Sequence, residues 1–237
     1  RVPMRIERLD VKNRAIAKSI GASRARGEIF LFCDDDIVAP ADFVETHVRN
    51  HRSAGVGGVS CRVLEEGLPP LRSTNICKVT FYGRMRSGFQ SDVVCRVRSL
   101  VGGNMSVKRA TFLEAGYFDS GFRGTAIFEE QDYSERIRSL GQSILFTNEC
   151  AVWHFPQKKG NLDTRKTFPV EYYRDFHHNE MLYFLKNRPR IFLVLAVPFC
   201  LLRSFRQAGI GGVGLRGAWT MFAGVFEGIA SYYRSLR

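Results

Sequence analysis

Hydrophobic and polar positions alternate along the chain in blocks of two kinds. Ala15, Ile16, Ile20 and Ala22 recur among basic side chains, a spacing that predicts a helix over 12–26, and Gly27 ends it. Glu28-Ile29-Phe30-Leu31-Phe32-Cys33 is a short apolar run of the kind that forms a buried parallel strand, and it stops at Asp34-Asp35-Asp36. Pro40-Ala41-Asp42 opens a second helix over 41–53, and 57–63 reads as a strand. Residues 64–98, with Pro69-Pro70 and many arginines, read as an irregular loop over a site. Gly102-Gly103-Asn104 predicts a turn, followed by a helix near 108–115. Tyr133, Ile137 and Leu140 define a helix over 130–140 with Gly141 at its C-cap. Two strands, 143–147 and 150–155, follow. Strands alternating with helices predict an α/β layered fold.

Beyond residue 157 the pattern changes. Ile191–Leu202 is a run of 12 apolar residues, short of the roughly 20 that an ordinary transmembrane helix needs. Leu215, Trp219, Phe222, Phe226, Ile229 and Tyr233 are spaced 4, 3, 4, 3, 4, which predicts one continuous amphipathic helix.

Composition refines this picture. With 237 residues, 45% apolar and 24% charged, the chain is an ordinary globular one, long enough for a core and neither disordered nor collagenous. The net charge of +12 is uneven: residues 157–237 hold 13 basic and 5 acidic side chains, a net of +8. That imbalance points to an anionic partner, whether nucleic acid, phospholipid or phosphorylated substrate. The arginines of 62–98 have few interleaved aromatics and match no nucleic-acid motif. Six scattered cysteines (Cys33, Cys61, Cys77, Cys95, Cys150, Cys200) with no C-x-x-C pair predict reduced core thiols in a cytosolic compartment. The first residue is Arg1 and no signal-peptide pattern follows it, so the expectation is a fragment.

The sharpest chemical feature is the triple aspartate after the first strand. Ligands of open α/β sheets bind beyond the carboxyl ends of strands, and adjacent carboxylates there need a compensating cation. Oxygen-rich sites of this kind suit Mg2+ or Mn2+. As a plain turn, the same residues would cap the next helix.

The surrounding blocks raise the metal reading. Asn13-(x)7-Gly21, then Ala25-Arg26-Gly27-Glu28 through Asp36, resemble the family-2 glycosyltransferases of the GT-A fold. So do Gly102-Gly103-Asn104-Met105-Ser106-Val107, with Phe112 and Gly116-Tyr117-Phe118-Asp119 behind it, Glu129-Glu130-Gln131-Asp132 with Gly141, and Ala151-Val152-Trp153-His154. The resemblance implies a Rossmann-like mixed sheet flanked by helices. It implies that Asp34 and Asp36, with Asp35 beside them, bind a divalent metal (Mn2+ or Mg2+) and the diphosphate of a nucleotide-sugar. Gly102, Gly103 and Asn104 would lie near the donor sugar and acceptor. The family's usual acidic block is Glu-Asp-x-Asp, whose second residue is the general base. Here that residue is Glu130, one methylene longer, so the base is Glu129 or Glu130, with Asp132 in the same block. His154 matches a histidine that completes the metal shell in part of the family. Single displacement from such a site inverts the anomeric configuration.

Family members begin with an apolar strand and a loop whose aspartate contacts the nucleotide. This sequence starts past both, so the resemblance implies a domain lacking its first strands. The expected organisation is a partial catalytic domain over 1–156 and a basic, amphipathic helical tail over 157–237. The tail would lie on an anionic membrane surface through 190–237, or pack on its own domain or a second subunit. The implied function is transfer of a sugar to a saccharide or lipid-linked acceptor in bacterial surface polysaccharide or glycolipid synthesis, at the cytoplasmic face of the cell membrane. A metal-dependent nucleotidyltransferase and a non-catalytic basic membrane-binding module are the competing classes. Gly209–Gly214 fits G-x-G-x-x-G without its strand context and reads as a flexible link, and His177-His178 with Glu180 reads as a surface helix.

Overall fold

The computed structural model describes residues 4–10, 12–69, 71–155 and 169–236. The first helix, α1 (Arg14–Arg24), starts at Asn13, whose side chain accepts from the Ile16 amide and donates to the Phe122 carbonyl at 2.7 Å. That one side chain caps the helix and ties it to a loop more than a hundred residues away. There follow β1 (Ile29–Cys33), β2 (Ile37–Val38), α2 (Phe43–Asn50), β3 (Val56–Glu65) and β4 (Cys95–Val97). Then come β5 (Asn104–Lys108), α3 (Arg109–Ala115), α4 (Glu129–Ser139) and β6 (Ser143–His154). The chain closes with α5 (Val170–Asn187), a short 3-10 turn (Arg190–Phe192), α6 (Leu193–Ile210) and α7 (Gly214–Ser235).

The strands form one mixed sheet in the order β1-β5-β3-β6-β2, with β4 added on β6. Only β3 and β6 run parallel; the other pairs are antiparallel. The alternation of strand and helix therefore predicted the fold class, but β1 is not a central parallel strand. It pairs antiparallel with β5 at the edge of the described sheet. Its apolar residues instead meet an aromatic layer in which Phe30 and Phe32 pack on Phe112, and Phe32 on Phe118.

The two strands expected at 143–147 and 150–155 are one. Between Cys61 and Val63 the β6 partners jump from Thr147 to Val152, so Asn148-Glu149 is an excursion within a continuous strand rather than a turn between two. The expectation of six reduced thiols also changes. Cys61 on β3 and Cys150 on β6 sit with Cα atoms 5.6 Å apart and form a disulfide, which 89 residues of separation had hidden.

Residues 169–236 share the core of the rest. Phe128 stacks on Tyr183 and Phe176 of α5, and Lys186 of α5 pairs with both Asp119 and Asp132. The helix read as a surface element is the most buried part of α5: His177, His178 and Glu180 are all fully covered. Glu180 is neutralised by Arg203 of α6 at 2.9 Å and also accepts from Cys200 and His177.

The continuous helix forecast from the aromatic stripe is present as α7, with its faces distributed unexpectedly. Gly217, Ala218, Met221, Gly224, Val225 and Gly228 face inward, while Leu215, Trp219, Phe226 and Tyr233 remain 48–69% exposed. A β-carbon on Gly224 would overlap the Arg174 carbonyl of α5, and one on Gly228 the His178 carbonyl, so the two backbones meet where side chains do not fit. The Gly209–Gly214 segment is the turn between α6 and α7 rather than a flexible link: Val213 donates to the Ala208 carbonyl, and Gly212 and Gly214 supply positive φ. The helical stretch Arg190–Ile210 has 21 residues and is, by length and composition, long and apolar enough to cross a membrane, longer than the 12-residue run suggests.

Gly224→Ala is expected to destabilise the protein by about 1–3 kcal/mol through overpacking against α5. Urea unfolding checks it. Ala230→Ser, on the exposed side of the same helix, is the comparison that leaves stability unchanged.

Candidate active site

Three strand ends meet above the sheet. β1 delivers Asp34, and Asp36 leads into β2. The register of β2 on β6 sets Ile37 opposite His154, and that of β3 on β6 sets Glu65 opposite the same histidine. His154 is consequently held between two carboxylates, with Nδ1 2.8 Å from Glu65 Oε1 and Nε2 3.0 Å from Asp36 Oδ1. Asp34 Oδ2 lies 3.9 Å from the same Nε2. With Nδ1 directed at Glu65, Nε2 faces two carboxylates, an arrangement that a cation held between them would complete.

The ligand atoms of Asp34, Asp36 and His154 all lie within 4.8 Å of one another, a spacing that small side-chain adjustments would bring to the roughly 4 Å or less between ligands that share one divalent cation. Two oxygens and an imidazole are a donor set for Mn2+ or a similar divalent ion. Two other clusters among the described residues are closed to such use: His47 sits beside the bonded Cys61–Cys150 pair, and Glu180 near His177 and Cys200 is already neutralised by Arg203.

Across a cavity of about 410 Å³ from this trio stands Glu130. The Gly102-Gly103 turn separates the two groups and permits both. A β-carbon on Gly102 would overlap Glu130 Oε1, and one on Gly103 would lie 2.6 Å from Asp34 Oδ2. Successive glycines thus each admit one carboxylate against bare backbone.

Glu130 begins α4 through an uncommon turn. Ala126 and Phe128 both adopt positive φ, 54° and 78°, though neither is glycine, and both are fully buried. Such conformations cost about 1–3 kcal/mol each and persist only when the surroundings hold them. Here α5 does so: Asn179 makes two hydrogen bonds to the backbone of Arg123, and Phe128 is enclosed by Phe176 and Tyr183.

Lys18 of α1 reaches in to bond Glu129 at 2.6 Å and Glu130 at 2.8 Å. Burial, then the charge of Glu130, push the Glu129 carboxyl up to about 8, so it holds its proton at neutral pH. For Glu130 burial acts in the same direction, but Lys18 outweighs it and keeps the group below its ordinary value. The result is one neutral and one ionised carboxyl on a single ammonium. Only Glu130 faces the cavity, with 17% of its side chain exposed against 1% for Glu129.

The structure therefore brings Asp34, Gly102, Gly103, Glu130 and His154 to one cavity, with Asp36 reaching it through His154. Asp35 is exposed outside the lining. Two expected site residues turn inward instead. Asn104 is fully buried beneath the turn, donating to the Arg62 and Cys150 carbonyls and contacting His47. Asp132 is buried on the far side of α4, bound by Lys186, Arg136 and Asn187, where it fastens α4 to α5. Both are scaffold groups, because adjacent positions on a strand or helix point different ways. Lys18, Glu65 and Arg14 were not singled out from sequence. A lysine inside a helix already rich in basic residues gave no local signal, and Glu65 is visible only as an acid at a strand end. Tyr172 and Phe176 of α5, with Met85 and Phe89 of the 64–98 segment, form the apolar wall beside Glu130.

No family model matches the chain, and no curated protein sequence does. Among solved structures, it superposes on GalNAc-T7, determined with UDP, GalNAc and Mn2+, with a TM-score of 0.52 at 15% identity, covering 73% of this chain and 37% of that one. It superposes on the 1–349 fragment of S. aureus TarS, in complex with UDP-GlcNAc, with a TM-score of 0.52 at 13% identity, covering 90% of this chain and 60% of that one. The chain thus spans well under two thirds of either protein, and at these identities the likeness is one of fold. That fold is the GT-A arrangement, a mixed sheet with helices on its faces.

The shared proton sets a pH dependence. The folded protein retains the Glu129 proton between the ordinary 4.5 and about 8, where the unfolded chain has released it, so stability falls as pH rises through that window. The slope is at most about 1.4 kcal/mol per pH unit. In Glu129→Gln the fall between pH 5 and 8 should flatten, read from urea unfolding at several pH values.

Proposed function

We propose that this chain is an inverting glycosyltransferase of the family-2 kind, moving a sugar from a nucleotide-sugar to an acceptor hydroxyl. The observation that carries the reading is the pairing, across one glycine turn, of an Asp34–Asp36–His154 cluster with an ionised Glu130. In this reading Asp34, Asp36 and His154 face the diphosphate end of the donor. A divalent cation held by them supplies positive charge for the departing nucleoside diphosphate. Glu130 accepts the acceptor's hydroxyl proton as that oxygen bonds to the anomeric carbon and the carbon–oxygen bond to the diphosphate breaks. Lys18 keeps Glu130 ionised beforehand, and the neutral Glu129 leaves the charge of Lys18 directed to it. The backbone of Gly102 and Gly103 lets donor and acceptor approach between the two groups.

The apolar wall of Tyr172, Phe176, Met85 and Phe89 favours an acceptor carrying an apolar portion, such as a lipid-linked saccharide. The exposed side of the last two helices supports the same idea. Ile191, Val194, Leu195 and Leu202 on or beside α6 continue through a Phe205–Trp219 ring contact into Leu215, Phe226 and Tyr233 of α7. Arg190, just before α6, and Arg206, Arg216 and Arg234 on the same two helices are exposed as well. Apolar rows edged by arginine suit helices lying in the plane of an anionic membrane, with Arg203 retained by buried Glu180. These features support the reading of a peripheral enzyme of bacterial surface-glycan synthesis at the cytoplasmic face of the cell membrane.

Two experiments test these statements. Incubated with UDP- and GDP-sugars and Mn2+, Asp36→Ala should lose donor binding, whereas Glu130→Gln should bind donor and lose about a hundred-fold or more in turnover. Gly102→Ala should behave like Glu130→Gln by displacing that carboxylate. Turnover indifferent to all three changes would remove the site. Separately, Trp219→Glu with Phe226→Glu should shift the protein from membrane to soluble fraction without altering its unfolding midpoint.

A further inference from the structure

Residues 77–87 form a hairpin whose outer face the chemistry above leaves unused. Val79 pairs with Met85, the Cys77 amide donates to Ser87 and the Arg86 amide to Lys78. The hairpin's side chains divide between a covered and an exposed face. Cys77, Val79 and Met85 face inward, Cys77 and Met85 lining the cavity beside Glu130. Lys78, Arg84 and Arg86 face out, and all three are exposed. The register sets Lys78 directly opposite Arg86, a like-charge pair that is unfavourable on its own. Among the described residues none of the three cations meets a carboxylate.

The tip of the hairpin rests on the helices that bear the apolar surface. Tyr82 packs on Phe199 of α6, and Phe81 on Phe192 just before it. Gly83, at φ 98°, comes so close to Glu180 that a β-carbon would overlap its carboxylate. Arg203, which neutralises Glu180, also covers the rings of Phe176 and Phe199 at 4.8 and 4.7 Å. Phe81 remains 54% exposed, against Phe192, the residue that follows Ile191 in the chain.

We propose that this hairpin is a second membrane-contact element, its Phe81 tip entering the bilayer surface beside α6 while Lys78, Arg84 and Arg86 bind the phosphates of anionic phospholipids. This rests on the reading of the α6–α7 face as the membrane side. Because Cys77 and Met85 lie on the reverse face of the same two short strands, lipid contact on one face holds the cavity wall on the other. The membrane then serves as part of the frame of the acceptor site.

The test uses the full chain in flotation with vesicles of phosphatidylcholine alone or of equal parts phosphatidylcholine and phosphatidylglycerol. At about 1 kcal/mol for each basic residue near an anionic surface, the triple change Lys78→Gln, Arg84→Gln, Arg86→Gln should weaken binding to the mixed vesicles about a hundred-fold. Its binding to phosphatidylcholine alone should not change. Amide hydrogen exchange over 77–87 should slow on mixed vesicles in the unaltered chain. If the triple variant binds mixed vesicles as tightly as the unaltered chain and 77–87 gains no protection, the hairpin proposal fails. Loss of binding in Trp219→Glu/Phe226→Glu under the same conditions would leave the helical membrane face standing. Equal losses on both kinds of vesicle would assign the effect to apolar contact and overturn the phosphate reading. An unaltered chain that ignores both vesicles would overturn the hairpin and the membrane face together.

Discussion

The site depends on backbone that carries no side chain. Gly102 and Gly103 each receive a carboxylate into the space a β-carbon would occupy, Glu130 on one side and Asp34 on the other. Since neighbouring Cα atoms are about 3.8 Å apart, the turn fixes the separation of the two acidic groups almost independently of the elements that deliver them. The sheet supplies one group, from the ends of β1 and β6. The start of α4 supplies the other, at the cost of two left-handed residues that α5 must hold.

Electrostatics completes what this geometry begins. Five carboxyl groups at or beside one cavity would repel one another in a low-dielectric setting. The protein divides them. Lys18 draws Glu130 into its ionised form while Glu129 keeps a proton, and His154 stands between Glu65 and Asp36 with Asp34 close by. One carboxylate is thus paired with an ammonium and the others gather round an imidazole, so a single pocket presents two different electrostatic settings for the same functional group.

Much of this was legible in the chain, for reasons that also explain what was not. Asp34, Asp36, Gly102, Gly103, Glu130 and His154 belong to short blocks whose order survives in sequence, and the alternation of strands and helices gave the fold class. Which way each side chain points was not legible. Asn104 and Asp132 belong to the same blocks yet turn into the core, because one step along a strand or two along a helix reverses the direction. Partners far apart were equally hidden: Lys18 meets Glu130 across 112 residues, and Arg203, with His177 and Cys200, makes a buried Glu180 tolerable. The α7 stripe showed a helix correctly but not its packed side. Periodicity marks the large residues, whereas this helix packs through its glycines.

The left-handed turn at Ala126–Phe128 carries a consequence for the order in which the molecule is made. A chain emerges from the ribosome N-terminus first, so Asp34, Asp36, Glu130 and His154 are all translated before α5. The turn that aims Glu130 is braced by Phe176, Asn179 and Tyr183, residues translated some fifty positions later. In the proposed reading, the carboxylates and histidine of the cation cluster are thus translated before the helix that braces the turn of Glu130, and the two halves of the site meet only once α5 has docked.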